Sequence, residues 1–230
     1  MGDKKITIAI DGHSSTGKST AAKQLASALG YVFVDSGAMY RAVSLFALSE
    51  NMVHNNILDK QQLVENLNKV RIHFKYNPQT DKADVYLNDL NVETQIRTIE
   101  VSAVVSLIAE VSEVRAKLVS QQQELGKSKG VVMDGRDIGT VVFPDAELKV
   151  FMTAASDVRA QRRYTETMER GDQVSYEDVL QNVMERDRID SSRADSPLVR
   201  APDALLLDTS SMTREQQFEL LKSWAMERIF

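Results

Sequence analysis

The chain alternates between short uninterrupted apolar runs and longer stretches in which apolar residues recur at helical spacing. ITIAI (6–10) and YVFVD (31–35) read as strands buried on both faces, and the patterns after them predict helices over 18–29 and 37–49. Three later apolar runs, GVVMDG (130–135), LKVFM (148–152) and ALLLD (204–208), each end near polar or acidic residues. Helical stretches over 156–170, 175–193 and 213–229 lie between and after them. Strands that are apolar throughout, alternating with helices, predict an α/β fold with a parallel sheet covered on both faces.

One region breaks this rhythm. RIHFKYN (71–77), the turn-rich PQTDKAD (78–84) and VYLNDL (85–90) place Ile72, Phe74 and Tyr76 at period two, with Val85 and Leu87 answering across the turn. The pattern predicts an antiparallel hairpin inserted into an otherwise parallel protein. None of Pro78, Pro144, Pro197 and Pro202 marks a linker, and there is no repeat or low-complexity tract. With 230 residues, 43% of them hydrophobic, the expectation is one domain with insertions over 1–230.

Composition narrows the function. A formal net charge of -5 argues against a surface that holds nucleic acid by neutralising phosphates. Without cysteine there is no disulfide framework, thiolate metal site or thiol nucleophile, in keeping with a reducing compartment. Met1–Lys5 is polar and lacks the order of a secretory signal, and the apolar run around Val101–Val105 is broken by serine. These features predict a cytoplasmic protein that does not enter a membrane.

The most informative stretch is AIDGHSSTGKST (9–20). A strand delivers the chain, Gly12 and Gly17 let the backbone curl so that its N–H groups converge on an anion, and a helix starts with its positive end facing that anion. Lys18 is then expected to reach the outer phosphates of a nucleotide, and the Ser19 hydroxyl to help hold magnesium. His13 reads as a solvated loop residue, since no acid patterns with it.

Arginines point to a second anionic ligand. DSGAMYR (35–41) and MDGRDIG (133–139) each follow a strand, which places Asp35, Ser36, Tyr40 and Arg41, and then Arg136 and Asp137, near the carboxyl edge of the sheet. Arg186, Asp190 and Arg193 fall at i, i+4 and i+7, on one helix face; Arg159, Arg162 and Arg163 fall at i, i+3 and i+4. Each cluster alone also fits a solvated, ion-paired surface. Together they suit transfer between two phosphates, where the migrating charge must be neutralised away from water.

DGHSSTGKST, DSGAMYR, DGRDIGTVVFPDAELKVFMTA, RAQRRY and ERDRIDSSRADSPL, followed by ALLLDT, resemble the bacterial cytidylate kinase family in that order. The resemblance runs from about Ile6 to the C-terminal helix. It implies the P-loop fold of the nucleoside monophosphate kinases: a five-stranded parallel sheet, an antiparallel insertion near 64–100 in the monophosphate-binding region, and a helical lid over about 156–172. It also implies transfer of the terminal phosphoryl of ATP, with magnesium (Mg2+), to CMP or dCMP by a monomer.

Carried over by position, the resemblance gives ATP to Gly12, His13, Ser14, Ser15, Thr16, Gly17, Lys18, Ser19 and Thr20. It gives the acceptor phosphate to Arg41, Arg136 and Arg193, the sugar to Arg186 and Asp190, and the base to Ser36, Ser106, Arg115 and Asp137, with Tyr40 also on the acceptor. Asp137 facing the amino group of cytosine, with Arg115 and Ser106 donating to the ring's acceptors, would disfavour uracil. Lys18 and lid arginines among Arg159, Arg162 and Arg163 would neutralise the migrating group. Read without the family, the residues also admit another small-molecule kinase of this fold. A nucleotide-driven switch or motor is less well served, since there is no Asn-Lys-x-Asp sequence.

Overall fold

The structure is a computed structural model that describes residues 4–55, 57–79, 82–171 and 173–230. In chain order, β1 (Thr7–Gly12) leads into α1 (Lys18–Leu29), and β2 (Val32–Asp35) into α2 (Ser36–Ser49). A small pair, β3 (Val53–His54) and β4 (Ile57–Leu58), precedes α3 (Lys60–Asn66), and the antiparallel β5 (Ile72–Asn77), β6 (Lys82–Leu87) and β7 (Leu90–Asn91) follow. Then come α4 (Ile99–Ala109), α5 (Ser112–Gly126), β8 (Val131–Gly135), β9 (Leu148–Thr153), α6 (Ser156–Glu169), α7 (Tyr176–Ser192), β10 (Leu205–Asp208) and α8 (Arg214–Ile229).

Five strands form one sheet in the order β10-β9-β1-β8-β2. β1 sits at its centre, parallel to β8 and β9, with Ile8 in register with Val132 and Leu148. Every residue of β1 is buried, as its unbroken apolar run requires. The expectation of a parallel α/β sheet is met, and strand and helix boundaries fall within a residue or two of those the pattern gave.

The chain divides into two compact units, residues 1–34 with 123–230, and residues 35–122. In the first, Ile8, Ile10, Leu148, Val150 and Met152 pack with Ala21, Ala22 and Leu25 of α1 and Leu221 and Ala225 of α8. Alanines on α1 and α8 let each helix lie close to the sheet. Full burial of each Ile or Leu is worth about 2 kcal/mol.

In the second unit, Met39, Val43 and Phe46 of α2 pack with Ile96, Ile108, Val114 and Leu118. The hairpin is present, with Ile72 opposite Leu87 and Phe74 opposite Val85. Its second strand departs from the expected 85–90. It starts at Lys82 and stops at Leu87, because Asn88 and Asp89 adopt φ of 48° and 69° and turn the chain into β7. Tyr76, the third residue of the alternation, is 63% exposed, since it pairs with Ala83 where neither is covered. Within the expected turn, Thr80 and Asp81 lie outside the described residues, as do Met1–Asp3 at the start of the chain and Asp172 at the end of the expected lid. Among the described residues, no helix is long and apolar enough to cross a membrane.

Candidate functional site

The junction of β1 and α1 is built around two glycines. Gly12 has φ of 145°, and a Cβ there would lie 2.0 Å from the Met152 carbonyl oxygen, so only glycine keeps β1 and β9 paired as the chain leaves the sheet. Gly17 caps α1 in the left-handed region at φ 93°, with no side-chain hydrogen bond to the helix end and no acid in the first turn. The helix therefore keeps its positive end and its first N–H groups for something other than its own side chains.

Lys18 is buried in this loop. Its Nζ donates to the His13 carbonyl at 2.5 Å and lies 3.4 Å from Thr16 Oγ1. Burial, and then the nearby charge of Arg136, push the ammonium down to about 7 against the pull of Asp134, Asp11 and Asp190. An arriving polyanion would restore its proton. Ser19, at the exposed start of α1 beside Thr20, donates from Oγ to Asp134 Oδ2 at 2.6 Å. Asp134 is not among the residues the sequence singled out. Its signal was an acid ending a strand, which becomes specific only once β8 lies beside β1.

Arg136 and Asp137 follow β8. Arg136 Nε donates to Asp190 Oδ2 at 2.7 Å, and Arg193 Nη2 lies 3.8 Å from Asp137 Oδ1. Arg186 and Asp190 share a face of α7, while Arg193 just caps it in an extended conformation. All four of Arg186, Asp190, Arg193 and Asp137 are buried, which rules out a merely solvated cluster. Burial would raise the Asp190 carboxyl, but Arg136, Arg186 and Arg193 hold it below its ordinary value. On Arg136, burial works against the charge, and Asp190 with Asp134 and Asp187 more than compensates, so the guanidinium is held more firmly protonated.

The α6 arginines have separate tasks. Arg159, only 4% exposed, donates from Nε to the Ala154 carbonyl at 2.9 Å and from Nη1 and Nη2 to the two Asp187 oxygens at 2.9 and 2.5 Å. Its Nη1 also reaches the Ser14 carbonyl at 3.4 Å. Arg162 donates to the Thr209 carbonyl at 2.7 Å and reaches the Thr16 carbonyl at 3.4 Å. Arg163 is half-buried, and burial lowers its pKa. Burial would raise Asp187, but His13 and Arg159 hold it at about 2.

The expectation for His13 needs correcting: an acid does accompany it. His13 Nδ1 lies 3.2 Å from Asp187 Oδ1, and the ring is half-buried against Phe151. The partner is on α7, far along the chain, where no local pattern could reveal it. Of the other loop residues, Ser14 and Thr16 are buried, Thr16 donating to the His13 carbonyl at 3.1 Å, and Ser15 takes a left-handed φ of 59°.

The remaining candidates belong to the second unit. Ser36 and Tyr40 are buried on α2 and Ser106 is buried on α4, while Arg41 of α2 is half-buried. Arg115 on α5 is buried, donates to the Ala109 carbonyl at 3.2 Å and holds its guanidinium 5.7 Å from the Tyr40 ring centre, so these two are brought together. Asp35 accepts from the Ala38 amide at 2.9 Å and pairs with Arg97 at 3.3 Å, a partner the sequence did not point to.

Comparison with known proteins agrees with this geometry. The family model for cytidylate kinase matches residues 8–225. A protein of Flavobacterium johnsoniae named cytidylate kinase is 62% identical over 94% of this chain and 94% of its own length, and one of Flavobacterium psychrophilum with the same name is 59% identical over 95% and 96%. An uncharacterized protein from Eubacterium ventriosum shares the fold, with a TM-score of 0.53 at 11% identity over 98% of this chain and all of that one. With a glycine loop opening an uncapped helix, buried arginines after β8 and on α7, and a family match over nearly its whole length, this chain belongs to the cytidylate kinase family.

Proposed function

We propose that the protein transfers the terminal phosphoryl of ATP to CMP or dCMP, giving ADP and CDP or dCDP. The observation that carries this reading is one buried array in the first unit, where Lys18 in an uncapped anion loop neighbours the charge of Arg136, itself joined to α7 through Asp190. Two separate sets of donors suit two phosphate-bearing substrates.

The loop N–H groups and Lys18 bind the ATP phosphates. Within the first unit, Arg136 and Arg193 hold the acceptor phosphate, while Arg186 and Asp190 hold the sugar. Asp137 reads the cytosine amino group; for Ser36, Tyr40, Arg41, Ser106 and Arg115 of the second unit, a role toward the acceptor rests on the resemblance alone. The acceptor phosphate is already ionised at neutral pH, so its oxygen attacks the terminal phosphorus in line without a general base. Lys18 and the α6 arginines Arg159, Arg162 and Arg163 stabilise the migrating charge, in a lid over 156–172 that excludes water, and the insertion near 64–100 serves the acceptor. The Ser19 hydroxyl and Asp134 carboxylate, 2.6 Å apart, are hard oxygen donors that fit magnesium, which when bound neutralises phosphate charge. Action as a cytoplasmic monomer rests on the resemblance and on the absence of cysteine.

A coupled ADP-release assay over CMP, dCMP, UMP, AMP, GMP and small alcohols tests the reading. CMP and dCMP should be the preferred acceptors. Preference for another acceptor would assign a different kinase activity, and hydrolysis independent of any acceptor would remove the transfer reaction.

A further inference from the structure

The residue of β1 immediately before Gly12 is a buried acid, and both oxygens of Asp11 accept backbone N–H groups. Oδ1 accepts from Ile138 at 2.8 Å and Oδ2 from Gly139 at 2.7 Å. These residues follow Arg136 and Asp137 directly and open a single π-helical turn, Ile138–Val142. The first amides of a helical turn have no partner within it. Asp11 takes two of them. Gly139 permits the approach, since a Cβ there would lie 3.3 Å from Asp11 Oδ2 and 3.3 Å from Lys149 Cδ.

The site is not one that burial favours. Desolvation raises the Asp11 carboxyl to about 6 even though the two amides lower it, with Asp137 raising it further and Lys18 lowering it. An asparagine would remove the cost of burying a charge but offers one acceptor oxygen, while a carboxylate satisfies both amides. One side chain therefore ties the first residue of the phosphate loop to the segment carrying Arg136 and Asp137.

We infer that Asp11 is a positioning residue for the acceptor: by holding the amides of Ile138 and Gly139 it fixes Arg136 and Asp137 against the start of the phosphate loop. It thereby sets where the acceptor's phosphate and base stand relative to ATP. This rests on the kinase reading above for the identity of the acceptor, and on the hydrogen bonds alone for the brace.

The test is Asp11→Asn in the full chain. The variant should raise KM for CMP about tenfold or more and reduce the CMP-to-UMP preference, with a clearly smaller rise in the Kd of a non-hydrolysable ATP analogue, because Asp11 also helps Lys18 keep its proton. Unchanged CMP KM and preference would overturn the inference, and so would equal losses of CMP and ATP-analogue binding, which mark a general structural support. Wild-type protein that fails to phosphorylate CMP refutes the kinase reading instead. Should the variant not fold, hydrogen exchange on the substrate-free wild type decides. The Ile138 and Gly139 amides, held by Asp11 at 2.8 and 2.7 Å, should exchange slowly at pH 7. Unprotected amides at Ile138 and Gly139 at pH 7 would overturn the brace.

Discussion

Two strand-to-helix junctions in this protein begin alike and finish differently. Where β2 meets α2, Asp35 turns its carboxylate onto the Ala38 amide at 2.9 Å, and Arg97 neutralises the acid from 3.3 Å, so the helix end is closed by the protein's own side chains. Where β1 meets α1, a left-handed glycine stands at the cap, no side chain bonds to the helix end, and the buried group alongside is a cation. A capped N-terminus gains about 1 kcal/mol of stability and loses its capacity for an external anion. An uncapped one with an enclosed lysine forgoes that stability and keeps its field for a ligand.

The sharpest way to break the contrast is to remove the lysine. Lys18→Ala should lower phosphoryl transfer by roughly a thousandfold or more, a loss of about 4 kcal/mol of transition-state stabilisation. The thermal midpoint should hold or rise, because enclosing an ammonium is costly. A variant with near wild-type turnover would place the phosphate contact elsewhere.

A smaller effect comes from pH. Lys18 is held at about 7 in the free protein, so above that value binding a polyanion must first recover a proton, and affinity falls as pH rises. Between pH 7.5 and 8.5, where the triphosphate is already ionised, the Kd of an ATP analogue should rise roughly eightfold, readable by calorimetry. A flat profile would mean that the lysine stays charged without ligand.

The smallest change concerns the closed junction. Asp35→Ala should lower unfolding free energy by about 1 kcal/mol through loss of the cap, with a further penalty for the unpaired Arg97, measured by denaturant titration. No loss of stability would show that the cap contributes little and weaken the contrast between the two helix ends.

The open junction was the more legible of the two. Its parts are contiguous in the chain, so glycine spacing, the lysine and the flanking apolar run specify it locally. Asp35 also caps locally, but Arg97 is sixty-two residues away and nothing near either residue announces the pair. Separation along the chain likewise hid Asp187, which joins Arg159 and approaches the His13 ring, and the amides that Asp11 holds. The arginine clusters were visible as spacing. Their burial was not, because a run of charges at helical intervals has the same pattern whether it faces water or a packed interior. The second hairpin strand was misjudged for a local reason: two left-handed residues, Asn88 and Asp89, end it earlier than its apolar pattern suggests.

By itself, then, the order of residues determined the parallel α/β architecture, the glycine loop between strand and helix, and the family, because period, glycine placement and motif are properties of neighbours along the chain. Tertiary structure alone decided which acid meets which base and which charges lose their water. Those outcomes depend on distances across strands and helices that the backbone must first bring together, and desolvation follows from that packing.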